Sequence, residues 1–229
     1  MRDVIALDGP SGTGKSTVAR GLARRLGFRY LDTGAMYRAV AWAVLDAGVD
    51  PEDRIAVGRV ADRVALDVST DPDSPAVAVD GRRVDAAIRT PAVTTAVSPV
   101  SATPHVREVL VAAQRDLIGA GHVVVEGRDI GTVVAPGAPL KVFLTASSDV
   151  RAQRRSAQDG TADTAATAAA LDRRDTYDSS RRHSPLRAAD DAVHLDTTVL
   201  DVDEVIHRLV DLARERGVVP TDLPAGAET

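Results

Sequence analysis

The sequence predicts an α/β fold, with a mainly parallel central sheet flanked by helices. Two observations carry that reading. Short apolar runs rich in Val, Leu and Ile alternate along the chain with stretches patterned at helical spacing. The first of those runs also opens straight into a Gly-rich loop and then a helix, the strand–loop–helix unit of a parallel sheet. The 229 residues suffice for one large domain, or for one domain carrying inserts.

Val4-Ile5-Ala6-Leu7 reads as a buried strand, followed by the Gly-rich stretch and a helix from Thr17 to Leu26. Phe28–Leu31 reads as the second strand. Thr33–Ala47 reads as a helix, because Met36, Val40 and Val44 recur at its period, and Glu52–Leu66 as another. The turn signals Asp71-Pro72-Asp73 and Asp80-Gly81 follow. Val77–Val79 and Arg83-Val84 flank the second of them, which predicts a small hairpin set apart from the main sheet. Helices are expected over Pro91–Val97 and Pro104–Ile118, and strands over His122–Val125 and Leu140–Leu144. A basic helix starts at Asp149. Gly160–Ala170 is low-complexity Ala/Thr and reads as a mobile lid segment. Ala192–Leu195 is the last strand, Val202–Arg214 the last helix, and 217–229 a flexible tail.

Composition narrows the function classes. The formal net charge is −5, so a global basic footprint for nucleic acid is absent. Lys15 and Lys141 are the only lysines among 28 basic residues; the rest are Arg, whose planar fork grips phosphate in two places. The absence of Cys removes disulfides, thiol catalysis and Cys-based zinc sites. The five His show no metal-like spacing. No apolar run approaches the length that spans a bilayer, and Met1–Asp8 does not read as a signal peptide, so a cytoplasmic location is expected.

Gly9-Pro10-Ser11-Gly12-Thr13-Gly14-Lys15-Ser16, continued by Thr17, matches the phosphate-loop pattern in full, between an expected strand and an expected helix. The glycines let successive backbone N–H groups turn inward around a phosphate, and the helix start adds partial positive charge. Lys15 is expected to reach the β- and γ-phosphates of a nucleoside triphosphate, and the Ser16 hydroxyl to ligate Mg²⁺. A regulatory GTPase is disfavoured, since its guanine-reading motif needs Asn and the chain has none.

Four segments add a resemblance. They are Asp8–Ser16, Leu31-Asp-Thr-Gly-Ala-Met-Tyr-Arg38, Glu126-Gly-Arg-Asp-Ile-Gly-Thr-Val-Val134, and Arg173-Arg-Asp-Thr-Tyr-Asp-Ser-Ser-Arg181 with Ser184-Pro-Leu after it. In residues, order and spacing the chain resembles the bacterial cytidylate kinases, which are nucleoside monophosphate kinases. The resemblance implies a core with a five-stranded parallel sheet (1–63, 101–150 and 174–216), a monophosphate-binding insert at about 64–100 and a lid at about 151–173. Between Arg155 and Arg173 the chain is shorter and richer in Ala than the family pattern.

The resemblance also implies roles. Arg38 and Arg128, each following an expected strand, would grip the acceptor phosphate, helped by Thr33. Arg151, Arg154 and Arg155 stand at i, i+3 and i+4, on one face if helical, and would bring charge to the triphosphate on closure. Asp129 can accept from the cytosine N4 amine, Arg107 can donate toward N3 or O2, and Ser98 is a third base contact by resemblance. Arg174, Asp178 and Arg181 align with positions near ribose and base. Glu126 ends an apolar strand and would act near Mg²⁺, through water or by ordering the phosphate loop. The expected activity is transfer of the γ-phosphoryl group of ATP to CMP or dCMP, by a monomer with small nucleotides as its partners and neither nucleic acid nor membrane. The alternatives are a sibling kinase for UMP, AMP or shikimate, and a regulatory nucleotide-binding protein.

Overall fold

The computed structural model describes residues 3–181 and 184–219. Strands and helices are numbered in chain order: β1 Val4–Asp8, α1 Lys15–Leu26, β2 Arg29–Asp32, α2 Thr33–Asp46, α3 Arg54–Ala61, β3 Leu66–Val68, β4 Val77–Val79, β5 Arg82–Arg83, α4 Pro91–Ala102, α5 Pro104–Ile118, β6 Val123–Gly127, β7 Leu140–Thr145, α6 Ser148–Asp159, α7 Thr164–Ser180, β8 Val193–Asp196 and α8 Val202–Glu215. A 3₁₀ turn at Ala87–Arg89 and a π turn at Ile130–Val134 complete the series. Among the described residues, no helix is long and apolar enough to cross a membrane.

The chain forms two compact units: residues up to Tyr30 with those from Ile118 onward, and Leu31–Leu117. The second is larger than the insert of about 64–100 that the resemblance implies.

In the first unit a five-stranded sheet has the order β2-β6-β1-β7-β8. β1 runs parallel to β6, from Val4 opposite Val123 to Asp8 opposite Gly127, and parallel to β7; β7 is parallel to β8. Every residue of β1 is buried, as the continuous apolar run requires of a strand covered on both faces. α1 presents Val18, Ala19, Leu22, Ala23 and Leu26 to the core, and α8 presents Val205, Leu209, Val210 and Ala213. They pack in one cluster with Ile5, Leu7, Val124, Val142 and Leu144 of the sheet. α8 begins with a full capping box between Asp201 and Glu204. Val218 and Val219 are buried in the same cluster, so packing continues into the start of the expected tail; residues 220–229 lie outside the described residues.

The Ala/Thr stretch expected as a mobile lid segment is helical from Thr164. Asp163 caps α7 by accepting from the Ala166 N–H, and Ala is the strongest helix former. α6 and α7 pack against each other.

In the second unit, β3, β4 and β5 form a small antiparallel sheet. The expected hairpin is present, and Asp80 and Gly81 take φ of 50° and 78°, as its tight turn demands. The helix expected over Glu52–Leu66 stops at Ala61, and β3 begins at Leu66, where Leu66–Val68 finds a partner in β4 that no local pattern announces. α4 runs past the expected Val97 and through Pro99 to Ala102.

Leu22 is fully buried between α1 and the sheet. Leu22→Ala is expected to lower unfolding free energy by about 2–5 kcal/mol, the usual cost of an unfilled core cavity, read as a lower urea midpoint.

Candidate active site

The phosphate loop begins where β1 ends. Gly9 has φ 146°, and a Cβ there would stand 2.2 Å from the Leu144 carbonyl oxygen of β7; no side chain fits. At Gly12, φ 82°, a Cβ would stand 2.9 Å from the Arg151 Cβ of α6. The loop is thus pinned against the sheet on one side and the root of α6 on the other.

Cations converge on this loop. Lys15 Nζ donates to the Pro10 carbonyl at 2.5 Å. Arg128, just past β6, donates to the Gly9 carbonyl, to Ser11 Oγ at 2.5 Å and to Asp178 at 3.0 Å. Arg151 donates to the Ser11 carbonyl at 3.3 Å and to Asp175. Arg154 lies 3.5 Å from the Thr13 carbonyl and also binds Thr197 and the Leu200 carbonyl. Of the three arginines expected on one face of α6, Arg151 and Arg154 reach the loop, whereas Arg155 donates to Gln158 on its own helix.

Two carboxylates of α7 balance this charge. Asp178, almost fully buried, is approached by Arg128, Arg174 and Arg181. Asp175 accepts from the Ser11 N–H as well as from Arg151. The crowding has an electrostatic consequence: burial first, and Arg128 second, lower the pKa of Lys15 to about 7.

Ser16 and Glu126, expected near Mg²⁺, are adjacent. Ser16 Oγ donates to Glu126 Oε2 at 3.0 Å, and the buried Tyr30 hydroxyl donates to Oε1. A hydroxyl and one carboxylate are hard oxygen donors that suit Mg²⁺, which commonly completes its shell with water and phosphate oxygens. Among the described residues no cluster of three or more His, Cys, Asp or Glu could hold a metal by itself. The residues therefore fit a Mg²⁺ that arrives with a nucleotide.

Asp129 is buried directly after Arg128. Arg174 and Arg181 meet at Asp178, as described. In the second unit, Thr33 is buried in the first turn of α2. Arg38 donates to the Ile88 carbonyl and to Thr94 Oγ1, both at 3.0 Å. The buried Arg107 lies over the Tyr37 ring, 5.4 Å from its centroid, and Ser98 is half-buried on α4.

Sequence reasoning assigned no role to Asp8, Tyr30, Asp175 or Thr197. Asp8 stood in plain view as the last residue of the strand feeding the loop. The others touch the site through contacts far apart in sequence, with no local signal.

Nucleotide phosphates would supply counter-charge to Lys15 and raise its pKa from about 7. ATP binding near neutral pH is therefore expected to take up protons. Titration calorimetry checks this, as a binding heat that varies with the ionisation enthalpy of the buffer. Lys15→Arg, which stays protonated throughout, should lose that dependence.

The sequence profile of the family described as cytidylate kinase matches residues 5–215. Cytidylate kinase from Mycobacterium avium (strain 104) is 54% identical over 221 residues, covering 94% of this chain and 97% of the relative. That from Rhodococcus opacus (strain B4) is 55% identical, covering 94% and 96%, and that from Streptomyces avermitilis is 49% identical, covering 93% of each. Among solved structures, a gluconokinase from Sinorhizobium meliloti 1021 shares the fold with a TM-score of 0.50 at 17% identity, covering 95% of this chain and 96% of that one. With the phosphate loop in place and a family match running from β1 to α8, the chain belongs to the cytidylate kinase family.

Proposed function

We propose that the protein transfers the γ-phosphoryl group of ATP to CMP or dCMP, giving ADP and the corresponding diphosphate. One observation carries most weight: Arg128 and Asp129, the residues that would meet the acceptor, directly follow β6, and Arg128 touches the loop that would hold the donor. In an open α/β sheet, ligands bind past the carboxyl ends of the strands, which is where these residues stand.

The acceptor is a phosphate with a second pKa of about 6, hence largely dianionic at neutral pH. It needs no general base. The difficulty is bringing two polyanions together. Lys15, Arg128 and Arg151 already point at the loop, partnered by its carbonyls and by Asp175 and Asp178. Phosphate oxygens would take over those partners, and the cations would then neutralise charge on the transferring group. Mg²⁺, bound near Ser16 and Glu126, would supply further charge neutralisation to the donor phosphates.

Base choice falls to Asp129. It accepts from the N4 amine of cytosine, whereas uracil offers an acceptor oxygen at that edge.

Coupled ADP release measured with CMP, dCMP, UMP, AMP and GMP should be fastest with the cytidine nucleotides. Equal use of UMP would reject the cytidine reading while leaving a kinase. Arg128→Ala is expected to reduce kcat/KM for CMP by the equivalent of roughly 2–4 kcal/mol; unchanged kinetics would make Arg128 structural. Asp129→Asn should narrow the CMP/UMP preference, mainly by losing activity with CMP, and a preference of roughly 10²-fold in the parent leaves ample room to see it.

A further inference from the structure

Asp8 has no part in the chemistry above, yet it is a buried carboxylate at the mouth of the phosphate loop. Each of its two oxygens takes a backbone donor: Oδ1 accepts from the Ile130 N–H and Oδ2 from the Gly131 N–H, both at 2.8 Å. Those donors open the π turn Ile130–Val134. The first N–H groups of any helical turn lack internal partners and carry partial positive charge, so an anion placed there caps the turn.

The usual capping residue would be Asp129 itself. It occupies the N-cap position of that turn, and Asp is among the strongest N-cap residues. Its side chain nevertheless makes no capping hydrogen bond. Asp8 takes the first two N–H groups of the turn, including that of Gly131, which an Asp129 cap would use, from a neighbouring strand 122 and 123 positions away in sequence. Gly131 also sits close to both neighbouring strands. A Cβ on Gly131 would stand 3.4 Å from Asp8 Oδ2 and 3.2 Å from Cδ of Lys141, whose ammonium is fixed by both oxygens of Asp191. The turn is thus clasped between the end of β1 and β7.

Burying the carboxylate is costly, and burial is the main reason that the pKa of Asp8 rises to about 6. A neutral residue would avoid that cost, but Asn has a single side-chain acceptor and can satisfy only one of the two N–H groups. Two acceptors on one short side chain are what the site demands.

We infer that Asp8 is a positioning residue for substrate selection: by capping the Ile130–Val134 turn from β1, it keeps the Asp129 carboxylate from folding onto its own backbone and holds Arg128 against the phosphate loop. The inference rests on the reading that Asp129 meets the base and Arg128 the acceptor phosphate.

The test is Asp8→Asn, with kcat/KM measured for CMP and UMP, KM for ATP, and amide hydrogen exchange at Ile130 and Gly131. The expected result is a CMP/UMP preference reduced about five- to tenfold, the size of one lost buried hydrogen bond, with KM for ATP changed much less. Exchange at one or both amides should quicken locally. Equal losses with CMP and UMP, or a rise in exchange spread evenly over the chain, would mean that Asp8 only stabilises the fold and would overturn the inference. So would an unchanged preference in a variant made from a parent that prefers CMP. A parent with no preference would instead defeat the cytidine reading on which the inference stands. If Asp8→Asn folds poorly, Asp8→Glu keeps both acceptors but moves them by one methylene away from the Ile130 and Gly131 N–H groups, and an unchanged CMP/UMP ratio there would also overturn it.

Discussion

The site is governed by the crowding of positive charge around one loop. Lys15, Arg128, Arg151 and Arg154 all reach the residues Gly9–Thr13, and each is held there by an oxygen atom of the protein. Burial, and after it the like charge of Arg128, lower the pKa of Lys15 to about 7. The arrangement is tolerated because Glu126, Asp175 and Asp178 stand among the cations, and because loop carbonyls and Ser11 act as further acceptors. The clustered cations are thus kept together by carboxylates.

The second requirement is rigidity in the elements that carry those charges. Thr197 illustrates how it is met. Its hydroxyl lies within hydrogen-bond distance of the Thr13 and Thr145 carbonyls and accepts from Arg154, so one buried side chain joins the phosphate loop, the end of β7 and the root of α6. Tyr30 acts similarly on Glu126, and Asp8 on the turn after Asp129. Each is a polar group in a low-dielectric setting, where a satisfied hydrogen bond is strong and an unsatisfied one is costly. Side chains held in this way would meet a bound nucleotide already oriented, which would spare the reaction the entropy of arranging them.

Much of this was legible in the chain because much of it is local. The phosphate loop needs glycines at set positions and a helix directly behind them, and both requirements are written within nine residues. The hairpin at Asp80-Gly81 is announced by its turn. β3 was missed, since a three-residue strand exists only through its pairing with β4. The helical state of the Ala/Thr stretch has a local cause, the strong helix propensity of Ala behind the cap at Asp163, which its low complexity masks.

Residue types and their spacing along the chain therefore determine the alternation of strands and helices, the phosphate loop with Lys15 and Ser16, and the family. They also single out Arg128 and Asp129, which directly follow a buried strand. They do not say which oxygen each cation holds. Ser11 meets Asp175 across 164 positions, Arg128 meets Gly9 across 119, and Asp8 meets Gly131 across 123. Those pairings follow from the order in which strands enter the sheet, since parallel neighbours bring their carboxyl ends, and the loops that leave them, to a common edge. The burial that shifts Asp8 and Lys15 arises there too, because desolvation belongs to the packed arrangement and to no residue by itself.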